Sequence, residues 1–303
     1  MKQKVHYVVW MVAFLFVLTS NAHSYDYLRV TDSGFTTLPV SARALGMGAS
    51  FVPVADDYSA CYYNPAGLTL LTTHQIGSMY TDLYGMRLLG HSFISYAEPD
   101  TGMGSGAISW SHLSANLEPE EWSCDVWAYS YANYLFNKER YPLRSWGINA
   151  KYIRQITPYE DASGYSFDIG YLSRGEKISL GICIQDIFSR IDWETGHTDT
   201  LPLNVMAGIS FNMDSLLISL SADSSTTDVP RNLRIGLEWK LGERIFLRGG
   251  LVKKFQQDEN RIYSAGIGFK TDVGTASYLS FDYAFVTSQD FNETHYFSLS
   301  FGF

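Results

Sequence analysis

The chain has 303 residues, of which 46% are hydrophobic and 15% aromatic but only 17% charged, with a formal net charge of −9. About a quarter charged is usual for a soluble domain, so the charge here is low for one. The acidic balance, without any cluster of Lys and Arg, argues against nucleic acid as a partner, because neutralising phosphates needs grouped cations.

Residues 1–24 read as a secretory signal. They comprise the basic start Met1-Lys2-Gln3-Lys4, the apolar run Val8–Leu18, and small residues at Ala22-His23-Ser24 that suit cleavage near Ser24. The run is too short for a spanning helix. Its removal takes Lys2 and Lys4, so the charge becomes −9 − 2 = −11, with the mature chain starting near Tyr25. No cysteine stands at the cleavage region to carry a lipid. The cysteines are Cys61, Cys124 and Cys183. One pair is possible, but an exported fold held by disulfides would carry more, in even number. After the signal no apolar run approaches the roughly 20 residues of a membrane helix. An exported, aromatic-rich, charge-poor chain without spanning helices fits a transmembrane β-barrel, whose alternation hides its hydrophobicity from a window average.

Residues 25–73 precede the first convincing strand and form a unit of their own. The stretch from Ser41 to Leu71 alternates poorly, carries glycines and closes on Asn64-Pro65-Ala66-Gly67. Its simplest placement is inside a barrel as an N-terminal plug, since irregular backbone at membrane depth needs protein or a water-filled cavity around it. Residues 74–303 then read as the barrel. Period-two alternation predicts strands at approximately 74–84, 87–97, 103–113, 123–136, 143–156, 163–173, 177–187, 203–212, 215–224, 231–241, 244–255, 261–271, 276–286 and 294–303. That makes about 14 antiparallel strands in an all-β fold, an even number as single-chain bacterial barrels have. Short turns at 174–176, 212–214 and 242–243 should be periplasmic. The longer stretches near 114–122, 188–202, 225–230, 256–260 and 287–293 should be extracellular. One face of each strand is bulky and aromatic, as in Phe297, Leu299, Phe301 and Phe303; the other is built from Gly, Ser, Asp, Arg and Lys. A soluble sandwich also alternates, but would usually show richer charge on its outer face. Aromatic residues such as Trp127, Tyr152 and Trp239 suit interfacial girdles, with outer-membrane lipid as the surrounding partner.

The segment "SARALGMGASFVPVADDYSACYYNPAGLTLL" resembles the N-terminal part of the PorV/PorQ family of outer-membrane barrels and, more distantly, the hatch of FadL-type channels. The residues behind the resemblance are Ala44 to Gly48, Ala55-Asp56-Asp57 and Asn64 to Gly67, extended by Leu180–Phe211 and the last two strands. The resemblance implies a 14-stranded outer-membrane barrel of a diderm bacterium. The terminal aromatic Phe303 resembles the signal by which the barrel-assembly machinery recognises such chains for insertion. The Ala44–Gly48 and Leu180–Phe211 stretches resemble the PorV branch more, so the favoured expectation is an accessory or shuttle role in type IX-like protein secretion or surface assembly, with secretion-system components or exported cargo as partners. A FadL-like chain would be a passive channel for hydrophobic small molecules. A third reading is a structural barrel without transport. A channel predicts an apolar pocket between plug and wall and an opening near a strand kink. A secretion partner predicts a plugged lumen with an apolar extracellular rim, for which Phe188, Trp193 and Phe291 are candidates in loops.

Chemistry-bearing residues are few. Gly46-x-Gly48 lacks the third glycine of a dinucleotide site, with Phe51 in its place, and suits a tight turn or close packing. Asp56 and Asp57 lack the further ligands of a metal site and should cap a helix near Tyr58 or pair with a wall arginine. Asn64-Pro65 reads as a turn start. These six residues are the candidates for plug gating. Asp168, Arg234, Glu238, Arg248 and Asp282 fall on polar faces and should form lumen charges that anchor the plug or an eyelet that selects a solute. His91-Ser92 and Ser111-His112 cannot work as adjacent pairs, because strand neighbours face opposite sides. His295 stands alone. No catalytic set, metal or cofactor is expected.

Overall fold

The computed structural model describes residues 38–117, 120–136, 141–225, 232–255, 261–274, 276–288 and 293–303. The signal, the plug residues before 38 and Phe291 lie outside them. Strands run in chain order as β1 (Gln75–Asp82), β2 (Leu89–Glu98), β3 (Ser105–Leu117), β4 (Glu120–Tyr134), β5 (Leu143–Ile156), β6 (Asp161–Arg174), β7 (Ile178–Trp193), β8 (Thr198–Asp199), β9 (Asn204–Met213), β10 (Leu216–Ser225), β11 (Asn232–Leu241), β12 (Ile245–Lys254), β13 (Arg261–Asp272), β14 (Tyr278–Ser288) and β15 (Thr294–Gly302). β8 is a two-residue return on the end of β7. The other 14 form a closed antiparallel barrel, each paired with its chain neighbours, and β1 closes on β15 from Gln75↔Gly302 to Asp82↔His295. An even count brings both ends of the wall to one rim, where the Phe303 amide donates to the His74 carbonyl at 2.9 Å and the His74 amide returns the bond at 3.0 Å. The turns at 175–177, 214–215 and 242–244 share that rim.

The pleat assigns the two faces. In β15 burial alternates strictly, with Phe297, Leu299 and Phe301 exposed outside and Ser298 and Ser300 buried inside. Ile76 and Tyr80, Ile94, Ile108, Leu237 and Trp239, and Phe281 continue the exposed apolar exterior around the wall. Such a surface suits lipid rather than water.

Two stretches differ from the sequence reading. Residues 114–122 are not a long loop: β3 and β4 continue through most of them as one tall hairpin, with Ala115↔Trp122 and Leu117↔Glu120 paired. Residues 188–202 are largely strand as well, because β7 runs to Trp193. Alternation breaks there for a physical reason. Phe167↔Ile187 is flanked by Ile169↔Ile184 and Tyr165↔Arg190, so on each side one residue of β6 (Asp168, Ser166) opposes two of β7 (Gln185 and Asp186, Phe188 and Ser189). These are two successive β-bulges, and each flips the facing of the residues beyond it. Gln185 and Asp186 both point inward, while Phe188 is 84% exposed. Asp186 (φ 62°) and Phe188 (φ 51°) supply the left-handed backbone at the bulges. Phe188 and Trp193 are thus strand residues, not loop tips, and Trp193 packs against the buried cluster of Ile153, Ile191 and Leu201. Cys61, Cys124 and Cys183 are all buried free thiols, so the disulfide left open by the sequence does not form.

Candidate functional site

The interior of the barrel holds residues 38–74, built from the short helices Ala42–Gly46 and Ala60–Tyr63 and a 3-10 helix Pro65–Leu70. Val40, Met47, Phe51, Val54, Tyr63 and Leu68 are essentially inaccessible and join Met79, Phe93, Leu113 and Tyr296 of the wall in one apolar cluster. An irregular segment this deep must meet two demands. Its backbone must come close to the wall, and its polar groups must find partners there.

Glycine meets the first demand. Gly147↔Gly170, Gly181↔Gly208 and Gly236↔Gly250 are directly opposed pairs on neighbouring strands. Each faces the inner segment. A Cβ at Gly147 would stand 2.5 Å from the Ala66 nitrogen, and one at Gly236 2.5 Å from the Met47 carbonyl oxygen. At Gly170, Gly181 and Gly250 it would overlap Asn64, the Val52 carbonyl and the Gly48 nitrogen. Gly46 and Gly48 are the inner half of this contact. Gly46 sits against Gly266, and Gly48 has φ 62° beside Leu251 and Gly250, a conformation and a spacing that a side chain would oppose. Short wall side chains meet the second demand. Ser298 accepts from the Ala42 amide at 2.8 Å, and Ser264 accepts from the Gly48 amide at 3.0 Å. Ser145 donates to the Ala66 carbonyl at 2.9 Å, and Asn149 to the Cys61 carbonyl at 2.7 Å. Asn64 begins the turn by accepting from the Ala66 amide, while its NH2 donates to the carbonyls of Val52 and of Tyr171 in β6, both at 3.1 Å. Pro65 follows at the first position of the 3-10 helix.

The lumen charges fall into three groups. In the first, Arg43 spans Asp56 at 2.7 Å, Asp57 at 2.9 Å and wall Glu238 at 2.9 Å. Arg248 then joins Glu238 at 2.6 Å to Asp282 at 2.7 Å. The partner of the paired aspartates is therefore mainly Arg43 of the same segment; the wall arginine nearest Asp56 is Arg174, at 3.8 Å. Asp57 also accepts from the Ser59 amide and hydroxyl, a local turn bond just before the Ala60–Tyr63 helix, whose N-cap is Ser59 and carries no side-chain cap. In the second group Arg234 pairs with Asp223 at 2.7 Å and reaches the Gly48 carbonyl. In the third Lys151 lies between Asp168 at 2.7 Å and Asp186 at 2.6 Å. Sequence reasoning missed Arg43, Lys151, Asp186 and Asp223. Arg43 was the traceable one, a lone cation ahead of two acids in the same segment. Asp186 was hidden by the bulge that turns it inward.

A cavity of about 30 Å³ remains between the Ala60–Tyr63 helix and the wall, lined by Cys61, Tyr62, Phe93, Ser109, Ser111, Val126, Ala128, Asn149, Lys151, Asp168, Gln185 and Asp186. That is room for water-sized species rather than a hydrocarbon; a larger cleft of about 320 Å³ lies at the far end of β5–β7, lined by polar and charged residues such as Arg154, Asp161, Asp192 and Glu194 with Tyr152 and Trp193. The histidines fall as the pleat dictates. His91 is buried and meets Ser111 across the strands at 2.9 Å, but its Nδ1 has no partner. His112 pairs with Asp125 at 2.8 Å and His295 with the Tyr283 hydroxyl at 2.7 Å. Among the described residues no Ser–His–acid set is assembled, and no group of three or more His, Cys, Asp or Glu is placed to hold a metal.

No protein-family model and no curated protein sequence matches the chain. Solved structures do. The "CymD monoaromatic hydrocarbon channel" aligns with a TM-score of 0.63 and 12% identity over 89% of this chain and 98% of that one. A Pseudomonas aeruginosa FadL homologue gives 0.61 and 11% over 88% and 98%. The Pseudomonas putida toluene transporter TodX gives 0.56 and 9% over 87% and 97%. The chain shares their fold. The PorV/PorQ resemblance finds no counterpart in these comparisons.

Proposed function

We propose that this chain is an outer-membrane channel for hydrophobic small molecules in a diderm bacterium, with residues 25–73 as its plug. The observation that carries the reading is the shared architecture. A closed 14-strand barrel with an inner N-terminal segment aligns over nearly the whole length of solved hydrocarbon channels. The apolar exterior supports the membrane location, with the signal at 1–24 and Phe303 serving export and recognition by the barrel-assembly machinery. The PorV-like secretion role rested in part on apolar loop residues, and Phe188 and Trp193 are strand residues instead.

The interior indicates where movement has to occur. Ala42–Val54 and Asn64–Ala66 rest on the glycine belt and on serine partners. The Ala60–Tyr63 helix faces the cavity instead, opposite Phe93 and Val126. Passage of a hydrocarbon therefore requires this helix to yield while the belt contacts hold. Native mass spectrometry of the gently extracted barrel, with lipid analysis of the co-purifying material, tests the reading. A hydrophobe bound in stoichiometric amount supports a channel. A co-purifying exported protein, with no small molecule, would replace the channel with a secretion role.

A further inference from the structure

The cavity beside the Ala60–Tyr63 helix carries an electrostatic imbalance that the channel reading does not use. Among the described residues Lys151 is the one cation lining it, against Asp168 and Asp186. Asp168 has partners at both oxygens. Its Oδ1 accepts from Lys151 and from the Asp186 amide at 3.0 Å, and its Oδ2 from Asn149 at 2.8 Å. Asp186 does not. Its Oδ1 accepts from Lys151 and from Ser166 at 2.8 Å, while its Oδ2 is buried without a partner. Asn149 lines the same cavity, and its Oδ1 is also buried without a partner. Asp186 is 3% and Asn149 2% exposed.

From this we infer a binding site for a small monovalent cation of sodium size, coordinated by Asp186 Oδ2 and Asn149 Oδ1. The three charged groups sum to −1, and an uncompensated buried charge is costly. Two bare oxygens, one a carboxylate and one an amide carbonyl, are the donors that a hard cation takes. Ser109 and Ser111 line the same space, with the Ser111 hydroxyl bonded to His91. At about 30 Å³ the cavity admits one water-sized species. A water would satisfy both oxygens but leave the charge. The bulge in β7 gives the site its origin: the extra inward residue that it creates is Asp186.

The site stands independently of any channel activity and is tested on the purified full-length barrel. Thermal unfolding is followed while NaCl replaces choline chloride at constant ionic strength, because choline is too large for the cavity. Above the dissociation constant, each tenfold rise in sodium should lift the midpoint by roughly 3 °C. Asp186→Asn keeps the shape, removes the net charge and should abolish the sodium response. Equal midpoints in sodium and choline would overturn the site, leaving water as its occupant. A full sodium response in Asp186→Asn would place the ion elsewhere and overturn it equally. Should that variant fail to assemble, the wild-type comparison of sodium with choline still decides.

Discussion

Two adjacent glycines in β12 give a sharp test of how the inner segment is held. Gly250 faces inward, where a Cβ would approach the Gly48 Cα to 2.6 Å and overlap its nitrogen. Gly249 faces the other way and has nothing within 4 Å of its Cβ position. Neither has a backbone conformation that alanine resists. Gly250→Ala therefore forces backbone against backbone, an overpacking that costs about 1–3 kcal/mol. Gly249→Ala loses no contact and gains about 0.4–1 kcal/mol by restricting the unfolded chain. The two variants should differ by about 1.5–4 kcal/mol, or roughly 3–8 °C in midpoint at about 2 °C per kcal/mol. Thermal unfolding of the detergent-solubilised barrels, read by circular dichroism, measures this. Limited proteolysis should release fragments ending between residues 40 and 60 more readily from Gly250→Ala. Equal midpoints and equal proteolysis would refute the claim that the segment rests on a glycine belt.

Arg43→Met should lower stability by about 1–3 kcal/mol, because the part-buried carboxylates of Asp56, Asp57 and Glu238 lose a charged donor that they share. Asp56→Asn with Asp57→Asn in the same chain should restore part of that loss in the same unfolding assay. Asn64→Ala should cost about 2–3 kcal/mol, since the Val52 and Tyr171 carbonyls both lose their donor. Hydrogen exchange at the Ala66 amide, which Asn64 also holds, should accelerate in that variant while exchange in β15 stays slow.

The barrel was legible because its strands repeat every two residues, and the contrast between Phe297, Leu299 and Phe301 and their serine neighbours needs no tertiary context. β7 was legible only to residue 187, because the bulges at Asp186 and Phe188 reverse its parity twice, and no local pattern announces a bulge. The polar composition of 114–122 reads as a loop, yet cross-strand pairing with β4 overrides it. Inside the barrel the sequence supplied the residue types but not their grouping. Glycine and serine on the polar faces could be seen, but the opposition of Gly147 to Gly170 or Gly236 to Gly250 depends on strand register. The five lumen charges read from alternation are all buried or partly buried inside, but they belong to three separate networks whose other members, Arg43, Lys151, Asp186 and Asp223, supply their ion-pair partners.

The most direct test of the channel reading is uptake by diderm cells that lack their own hydrophobe channels and express this chain. A radiolabelled monoaromatic hydrocarbon and a polar solute of similar size are offered side by side. The account predicts hydrocarbon entry that rises with the amount of barrel in the outer membrane and polar-solute entry that does not. Hydrocarbon entry no faster than in cells without the chain, or equal entry of both solutes, would contradict it.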